Sequence, residues 1–407
     1  MTTKSAHLKT IAAAYTGWTL DAFDFIIMAT VLDDVAHEVH TPRTITTAAI
    51  TLTLAARPLG ALIFGRLADT YGRKPILMAN ILAYSLFAFL SGLAPSLTAF
   101  FIIRTLFGVA MGGVWGVGAS LVMETIPSNW RGRVSGLLQA GYPSGFLLAT
   151  IATRLLHDQI GWRGLFMLGA APALLVFFIN RHVGESSDFI ARKAASKAVA
   201  KSAPNWSATW RTHLPRALFA IAMMTLFNVF SHGTQDLFPS FLRTEHHLPP
   251  ATVSNILIAM NIAAMFGGLT CGFISQRLGR RRTIVFAALL SLPVIPFWAF
   301  AAGPVSIAIA AFALQIFVQG AWGVVPAHLN ELSPPEIRAT FPGVTYQLGN
   351  LIASTIPFIQ TSTADAFFGG ALNWPLALTV GPAALLLTAL VRSGPEASAT
   401  RMNGAIE

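Results

Sequence analysis

Apolar stretches of about twenty residues, separated by polar breaks, recur along almost the whole chain. They cover 10–32, 44–65, 75–94, 97–123, 133–154 and 163–181, then resume at 214–243, 252–275, 283–302, 304–329, 340–360 and 371–392. A bilayer core of about 30 Å takes roughly 20 residues of helix, so the pattern predicts an all-α membrane protein with 12 transmembrane helices. Most connections are short. The long polar interval, 182–213, carries Arg192, Lys193, Lys197 and Lys201 and reads as a basic linker lying on anionic headgroups. The expected division is an N-terminal six-helix bundle at 1–181, the linker at 182–213, a C-terminal six-helix bundle at 214–392 and a tail at 393–407. Lys4 and Lys9 precede an apolar stretch that runs to Leu32, too long for a signal peptide, so it is expected to be the retained first span.

Composition excludes a soluble protein. Hydrophobic residues make up 54% of the chain and charged residues 11%, against about 25% charged in an ordinary soluble domain. A net charge of +10 would point to nucleic acid in a soluble chain, but the position of the charges gives another account. With the N-terminus in the cytoplasm, 21 of the 27 Lys and Arg fall in cytoplasmic segments, as the positive-inside rule requires. Both termini and the linker are therefore expected on the cytoplasmic side of the cell's inner (plasma) membrane, with no nucleic-acid partner. The single cysteine, Cys271, allows no intramolecular disulfide.

The two halves repeat. A shift of 207 residues places Gly65, Gly72 and Arg73 on Gly272, Gly279 and Arg280 without a gap. The same shift places Gly113, Trp115 and Gly116 on Gly320, Trp322 and Gly323, and Glu124, Pro127, Arg131 and Gly136 on Glu331, Pro334, Arg338 and Gly343. Separate clusters at one offset indicate duplication. Six spans per copy give both copies the same orientation, hence two pseudo-symmetric six-helix bundles with a substrate path between them.

The loop after the second span reads Gly65-Arg66-Leu67-Ala68-Asp69-Thr70-Tyr71-Gly72-Arg73-Lys74, and the fourth span carries Arg104, Gly108 and Gly112. Both resemble motifs of the major facilitator superfamily. Further segments narrow the resemblance: Gly17-Trp18-Thr19-Leu20-Asp21-Ala22-Phe23-Asp24-Phe25, then Asn228-Val229-Phe230-Ser231-His232-Gly233-Thr234-Gln235-Asp236-Leu237-Phe238-Pro239-Ser240, and the late runs beginning at Asn330 and Phe341. Together they are similar to the sialate:proton symporter family and, within it, to the lactate/pyruvate–proton permeases. The seventh-span run departs from that pattern at Thr234 and Ser240, both of which keep a hydroxyl. The resemblance implies proton-coupled uptake of a small monocarboxylate by alternating access; sialic acid or an aromatic acid is the rival substrate. It departs in the second copy of the loop, where Gln276 replaces the Asp and leaves Arg277 to Arg282 without a local acidic partner.

Ionisable groups inside a span are costly and mark functional positions. Arg57 sits about 20 Å into the second span; its planar fork matches a carboxylate, as a substrate anchor or as an ion-pair partner of Asp21 or Asp24. Those two aspartates are three residues apart on one helix face, which suits proton coupling or a structural pair with Arg57 or Arg104. In the seventh span Asn228, His232 and Gln235 form one stripe and His232 neighbours Asp236, a candidate substrate and proton site. Gly233 suggests a local irregularity there. Tyr142, Gln347 and Asn350, on equivalent fifth and eleventh spans, are expected to line the path. Asp69 with Arg73, Glu124 with Arg131, and Glu331 with Arg338 are candidate gate pairs. The alternative for each is a solvated pair worth about 0–1 kcal/mol. No cofactor or metal is expected. With no P-loop, His-Glu-x-x-His or Gly-x-Ser-x-Gly pattern, an ion gradient drives the work and an intramembrane enzyme has no support. A non-transporting membrane sensor would need a signalling domain, for which the linker and tail are short. A monomer is expected.

Overall fold

The computed structural model describes residues 3–198 and 206–396. Lys201 and the tail beyond 396 lie outside the described residues. Twelve spans make two six-helix bundles. The first half contains Thr3–Thr30, Ala48–Tyr71, Arg73–Gly92 and Leu97–Thr125, then Arg131–Gln139 continuing into Gly141–Leu168, and Ala173–His182. Gly141–Leu168 is two helices meeting at Gly161 (φ 62°, ψ −178°). That left-handed φ suits glycine, and it lets the chain leave the fifth span and enter the sixth. The second half contains Leu214–Gln235 with Phe238–Thr244, Pro250–Leu278, Arg280–Ser291 with Val294–Phe300, Pro304–Trp322 with Val325–Leu332, Thr340–Ala353 with Ile356–Phe367, and Asn373–Ser393.

Seven of these helices are long and apolar enough to cross a membrane unaided. The first span falls short because it carries Asp21 and Asp24, and the eleventh because it is broken between Ala353 and Ile356. The expected irregularity at Gly233 is absent. Leu214–Gln235 stays helical through it, and the break comes after Gln235.

Glycines set how closely the second and fourth spans approach. A Cβ on Gly108 would lie 2.3 Å from the Thr53 carbonyl oxygen, one on Gly112 2.0 Å from that of Arg57, and one on Gly60 1.8 Å from that of Val109. The Arg-x-x-x-Gly-x-x-x-Gly spacing is therefore a packing face that fixes Arg57 in depth. Gly112→Ala is expected to destabilise the protein by about 1–3 kcal/mol through overpacking, read as a lower melting temperature in detergent. An unchanged melting temperature would show that the two helices separate at no cost.

The halves meet closely at the end that carries the linker. Asp69 accepts hydrogen bonds from the backbone N–H of Ala339 (2.9 Å) and Thr340 (3.0 Å) and from the Thr340 hydroxyl (2.6 Å). The Ser120 hydroxyl donates toward Asn330 Oδ1 at 2.9 Å and the Arg338 carbonyl at 2.8 Å. Gly116 packs on Gly343, where a Cβ would come within 2.7 Å of the Gly343 Cα.

Candidate functional site

Between the bundles lies a cavity of about 420 Å³, walled by Phe25, Leu54 and Tyr142 from one half and His232, Gln235 and Asp236 from the other. A recess of about 100 Å³ continues it toward Arg57, Asn228, Tyr346 and Asn350. Arg57 is 4% exposed, and its Nε and Nη2 have no hydrogen-bond partner among the described residues. The following Pro58 lacks the N–H that the Leu54 carbonyl would otherwise meet, so the recess wall is polar in its backbone as well.

Facing Arg57 is a chain of hydrogen bonds. His232 Nδ1 is 2.9 Å from Asp236 Oδ2, and His232 Nε2 is 2.9 Å from Asn350 Oδ1. Helical spacing of four residues brings the His–Asp pair together, and the eleventh span delivers Asn350. Behind this chain stand two amides: Gln315 bonds Gln235 and Thr234, both at 3.1 Å, and Gln319 donates to the Ser231 hydroxyl at 3.1 Å. Aromatic rings close the floor: Trp115 and Trp322 lie 4.8 and 5.7 Å from Tyr346, and Trp18 5.8 Å from Tyr142, measured between ring centroids.

The structure thus brings Arg57, Tyr142, Asn228, His232, Gln235, Asp236 and Asn350 to one cavity. Gln347 is not among its walls. It is 1% exposed, and its neighbour Tyr346 lines the recess in its place. Asp21 and Asp24 lie behind the wall, 0% and 2% exposed. Neither Asp21 oxygen has a hydrogen-bond partner among the described residues, and the same holds for the three guanidinium nitrogens of Arg104. Arg104 instead rests over the rings of Phe107 and Phe166, at 3.9 and 5.4 Å. The direct pairs weighed as the alternative for these aspartates and arginines are not formed among the described residues.

Gln315, Gln319 and Tyr346 were not expected to line the path. The repeat held the signal for them. Gln315 and Gln319 occupy the positions equivalent to Gly108 and Gly112, and Tyr346 that of Gln139. At Gly108 and Gly112 the first half packs helices closely where the second half places Gln315 and Gln319 at the cavity, whereas Gln139 and Tyr346 both face the recess.

Of the expected gate pairs, Asp69 with Arg73 is formed and the other two are rearranged. Arg73 bonds both Asp69 and Glu124 at 3.0 Å. Arg280 grips Glu331 through two bonds, of 2.9 and 3.0 Å. Arg131 turns back to the Met123 carbonyl at 3.1 Å instead of meeting Glu124, and Arg338 reaches Asp188 at 3.3 Å instead of Glu331. The reason is geometric. A 3-10 turn, Ser128–Trp130, follows the fourth span and carries Arg131 past Glu124, which is left facing the start of the third span. Arg73–Glu124 and Arg280–Glu331 are the same pair at the repeat offset, and each tie lies within its own bundle. Gln276, at the position equivalent to Asp69, accepts the Gly132 N–H at 2.8 Å, just as Asp69 accepts that of Ala339. Of the arginines after it, only Arg280 finds an acidic side-chain partner among the described residues, Glu331, while Glu396 accepts the backbone N–H groups of Arg280 and Arg281.

Asp69 is thereby the charged acceptor that bridges the bundles. Asp69→Asn is expected to shift the balance toward opening at the linker end by about tenfold, since a hydrogen bond to a charged group is worth about 1.5–3 kcal/mol. The measurement is thiol labelling of a Ser120→Cys reporter in a Cys271→Ser background. An unchanged labelling rate would remove Asp69 from the gate.

Two six-helix bundles sealed at one end around a central polar cavity define a membrane transporter. The Major Facilitator Superfamily profile matches residues 13–357 and 237–405, and the chain belongs to that superfamily. It is 30% identical over 357 residues to the "Probable 4-methylmuconolactone transporter" of Cupriavidus pinatubonensis, covering 85% of this chain and 81% of that one. It is 26% identical over 357 residues to the "Sialic acid transporter NanX" of Escherichia coli, covering 87% and 86%. The solved structure of the proton:xylose symporter XylE bound to 6-bromo-6-deoxy-D-glucose shares the fold, with TM-score 0.77, 16% identity and 97% of each chain covered. The protein is a multi-pass membrane transporter of solutes, not an enzyme.

Proposed function

We propose that this chain is a proton-coupled symporter of a small monocarboxylate of the lactate or pyruvate type, working by alternating access. The observation that carries the reading is Arg57, whose Nε and Nη2 have no partner among the described residues, in a 100 Å³ recess opposite the His232–Asp236–Asn350 chain. The carboxylate docks on Arg57. Its hydroxyl or keto oxygen meets Tyr142, Asn228 or Asn350. The proton travels on His232 and Asp236, with Asp21 and Asp24 as buried carboxylates behind Arg57. An imidazolium donates to both Asp236 and Asn350, and rotation of the Asn350 amide offers a donor to the neutral ring. Asn350 can therefore accompany both protonation states.

With 1–181 and 214–392 as the rocking units, and the linker and termini cytoplasmic, the sealed linker end makes this the outward-facing state. Asp69 and the Arg338–Asp188 contact release as the halves rock in the inner membrane. The second reading is a larger acid such as sialic acid. It is favoured by the 420 Å³ of the wider cavity and by the likeness to a sialic acid transporter.

The test is reconstitution into liposomes with labelled lactate, pyruvate and sialic acid, with and without a pH gradient. Gradient-driven accumulation of lactate or pyruvate supports the proposal. Accumulation of sialic acid alone gives the second reading, and uptake indifferent to the gradient removes proton coupling.

A further inference from the structure

We propose that an arginine-lined pocket at the linker end of the second bundle holds the phosphate of an anionic phospholipid. The pocket measures about 620 Å³ and lies where Pro250–Leu278 breaks at Gly279 into Arg280–Ser291, beside the end of Asn373–Ser393. Arg277, Arg281, Arg282 and Arg392 line it, with Glu396 as the one carboxylate. That carboxylate is already engaged, accepting the N–H groups of Arg280 and Arg281, each at 3.3 Å. Arg281 is engaged as well, donating to the carbonyls of Val391 (3.0 Å) and Arg392. Arg277 leans on the Phe273 ring at 5.8 Å. The guanidinium groups of Arg277, Arg282 and Arg392 form no ion pair among the described residues, and all three residues are exposed.

Two observations make this a site rather than a scattering of surface charge. The first is the repeat. The positions equivalent to Arg277, Arg281, Arg282 and Arg392 are Thr70, Lys74, Pro75 and Glu185. The fold builds the same corner in the first half with a single cation at these four positions, and there Glu185 bonds the N–H groups of Arg73 and Lys74 while the linker residues Phe189, Ile190 and Lys193 line the neighbouring hollow. Four arginines are therefore not what the corner needs in order to fold. The second is the surface below them. Phe286 and Leu290 are 54% and 51% exposed, and Phe273 is 44% exposed, so an outward apolar face descends from the arginines into the bilayer. A basic rim above an apolar helix face fits a phosphate diester with acyl chains and does not fit a soluble phosphate.

The test is native mass spectrometry of the full chain in detergent, titrated with phosphatidylglycerol and separately with phosphatidylcholine. Three proteins are compared: the wild type, the triple variant Arg277→Gln/Arg282→Gln/Arg392→Gln, and a charge-matched control, Arg66→Gln/Arg181→Gln/Arg211→Gln. The wild type and the control are expected to retain phosphatidylglycerol over phosphatidylcholine. The pocket variant is expected to lose that retention by about fivefold for each arginine removed, with its melting temperature unchanged. Equal loss in both triples would reduce the effect to diffuse surface charge and overturn the proposal. Displacement of the lipid by millimolar inorganic phosphate would also overturn it, by making a soluble anion the occupant.

Discussion

Arg57→Lys is expected to reduce uptake about tenfold to a hundredfold at unchanged expression and melting temperature. The second span holds Arg57 in depth through the close contact of its backbone with Gly112. The guanidinium then reaches the recess with Nε and Nη2 free of partners among the described residues. A carboxylate placed there takes two parallel charge-assisted hydrogen bonds. Lysine keeps the charge but offers a single compact ammonium on a flexible stem, so one of the two bonds goes and the substrate loses its fixed orientation. Hydrogen bonds to charged groups are worth about 1.5–3 kcal/mol, and each 1.4 kcal/mol is tenfold in affinity. The loss should appear chiefly in KM for the acid, with Arg57→Gln weaker still. Kinetics equal to the wild type in the lysine variant would take Arg57 out of the substrate site.

The same residue shows how far the chain could be read before its structure. Apolar stretches of membrane length gave the spans, and the 207-residue offset gave the two bundles, because both are one-dimensional patterns. An ionisable residue deep in a span marked Arg57, His232 and Asp236 for the same reason: lipid tolerates such groups only where they face the protein interior.

What depended on helix phase was harder. Residues 346 and 347 differ by about 100° around the helix, and sequence alone did not say which of them faces inward. Comparison with the first half would have helped, since Gln139 faces the recess and its partner in the repeat is Tyr346. Two of the three gate pairs, Glu124 with Arg131 and Glu331 with Arg338, differ for a related reason. Proximity in sequence suggested Glu124 with Arg131, but the turn at Ser128–Trp130 sends Arg131 back to the helix end, and Glu124 meets an arginine 51 residues away. Gln315 and Gln319 were hidden because a glutamine in a span is neutral and draws less notice than a charge.

His232→Gln is expected to abolish accumulation driven by a pH gradient while leaving exchange of labelled for unlabelled substrate in place. Glutamine spans a similar distance and can still bond Asn350, but it carries no titratable proton. A gradient of one pH unit supplies about 1.4 kcal/mol per proton, enough for about tenfold accumulation when one proton accompanies each acid. In the variant the inside-to-outside ratio should fall to about one. Exchange persists because Arg57 still binds the carboxylate and the bundles still rock. Asp236→Asn should behave alike, since it removes the carboxylate 2.9 Å from the ring. Asp24→Asn separates the alternatives. It lies behind the cavity wall at 2% exposure, and if it alone uncouples transport while His232→Gln still accumulates substrate tenfold, the proton travels through the first bundle and the seventh-span pair serves only to bind. If Asp24→Asn retains its pH dependence and His232→Gln loses it, carriage of the proton belongs to the His232–Asp236–Asn350 chain, and the two ligands of the symporter are held by opposite halves of the molecule.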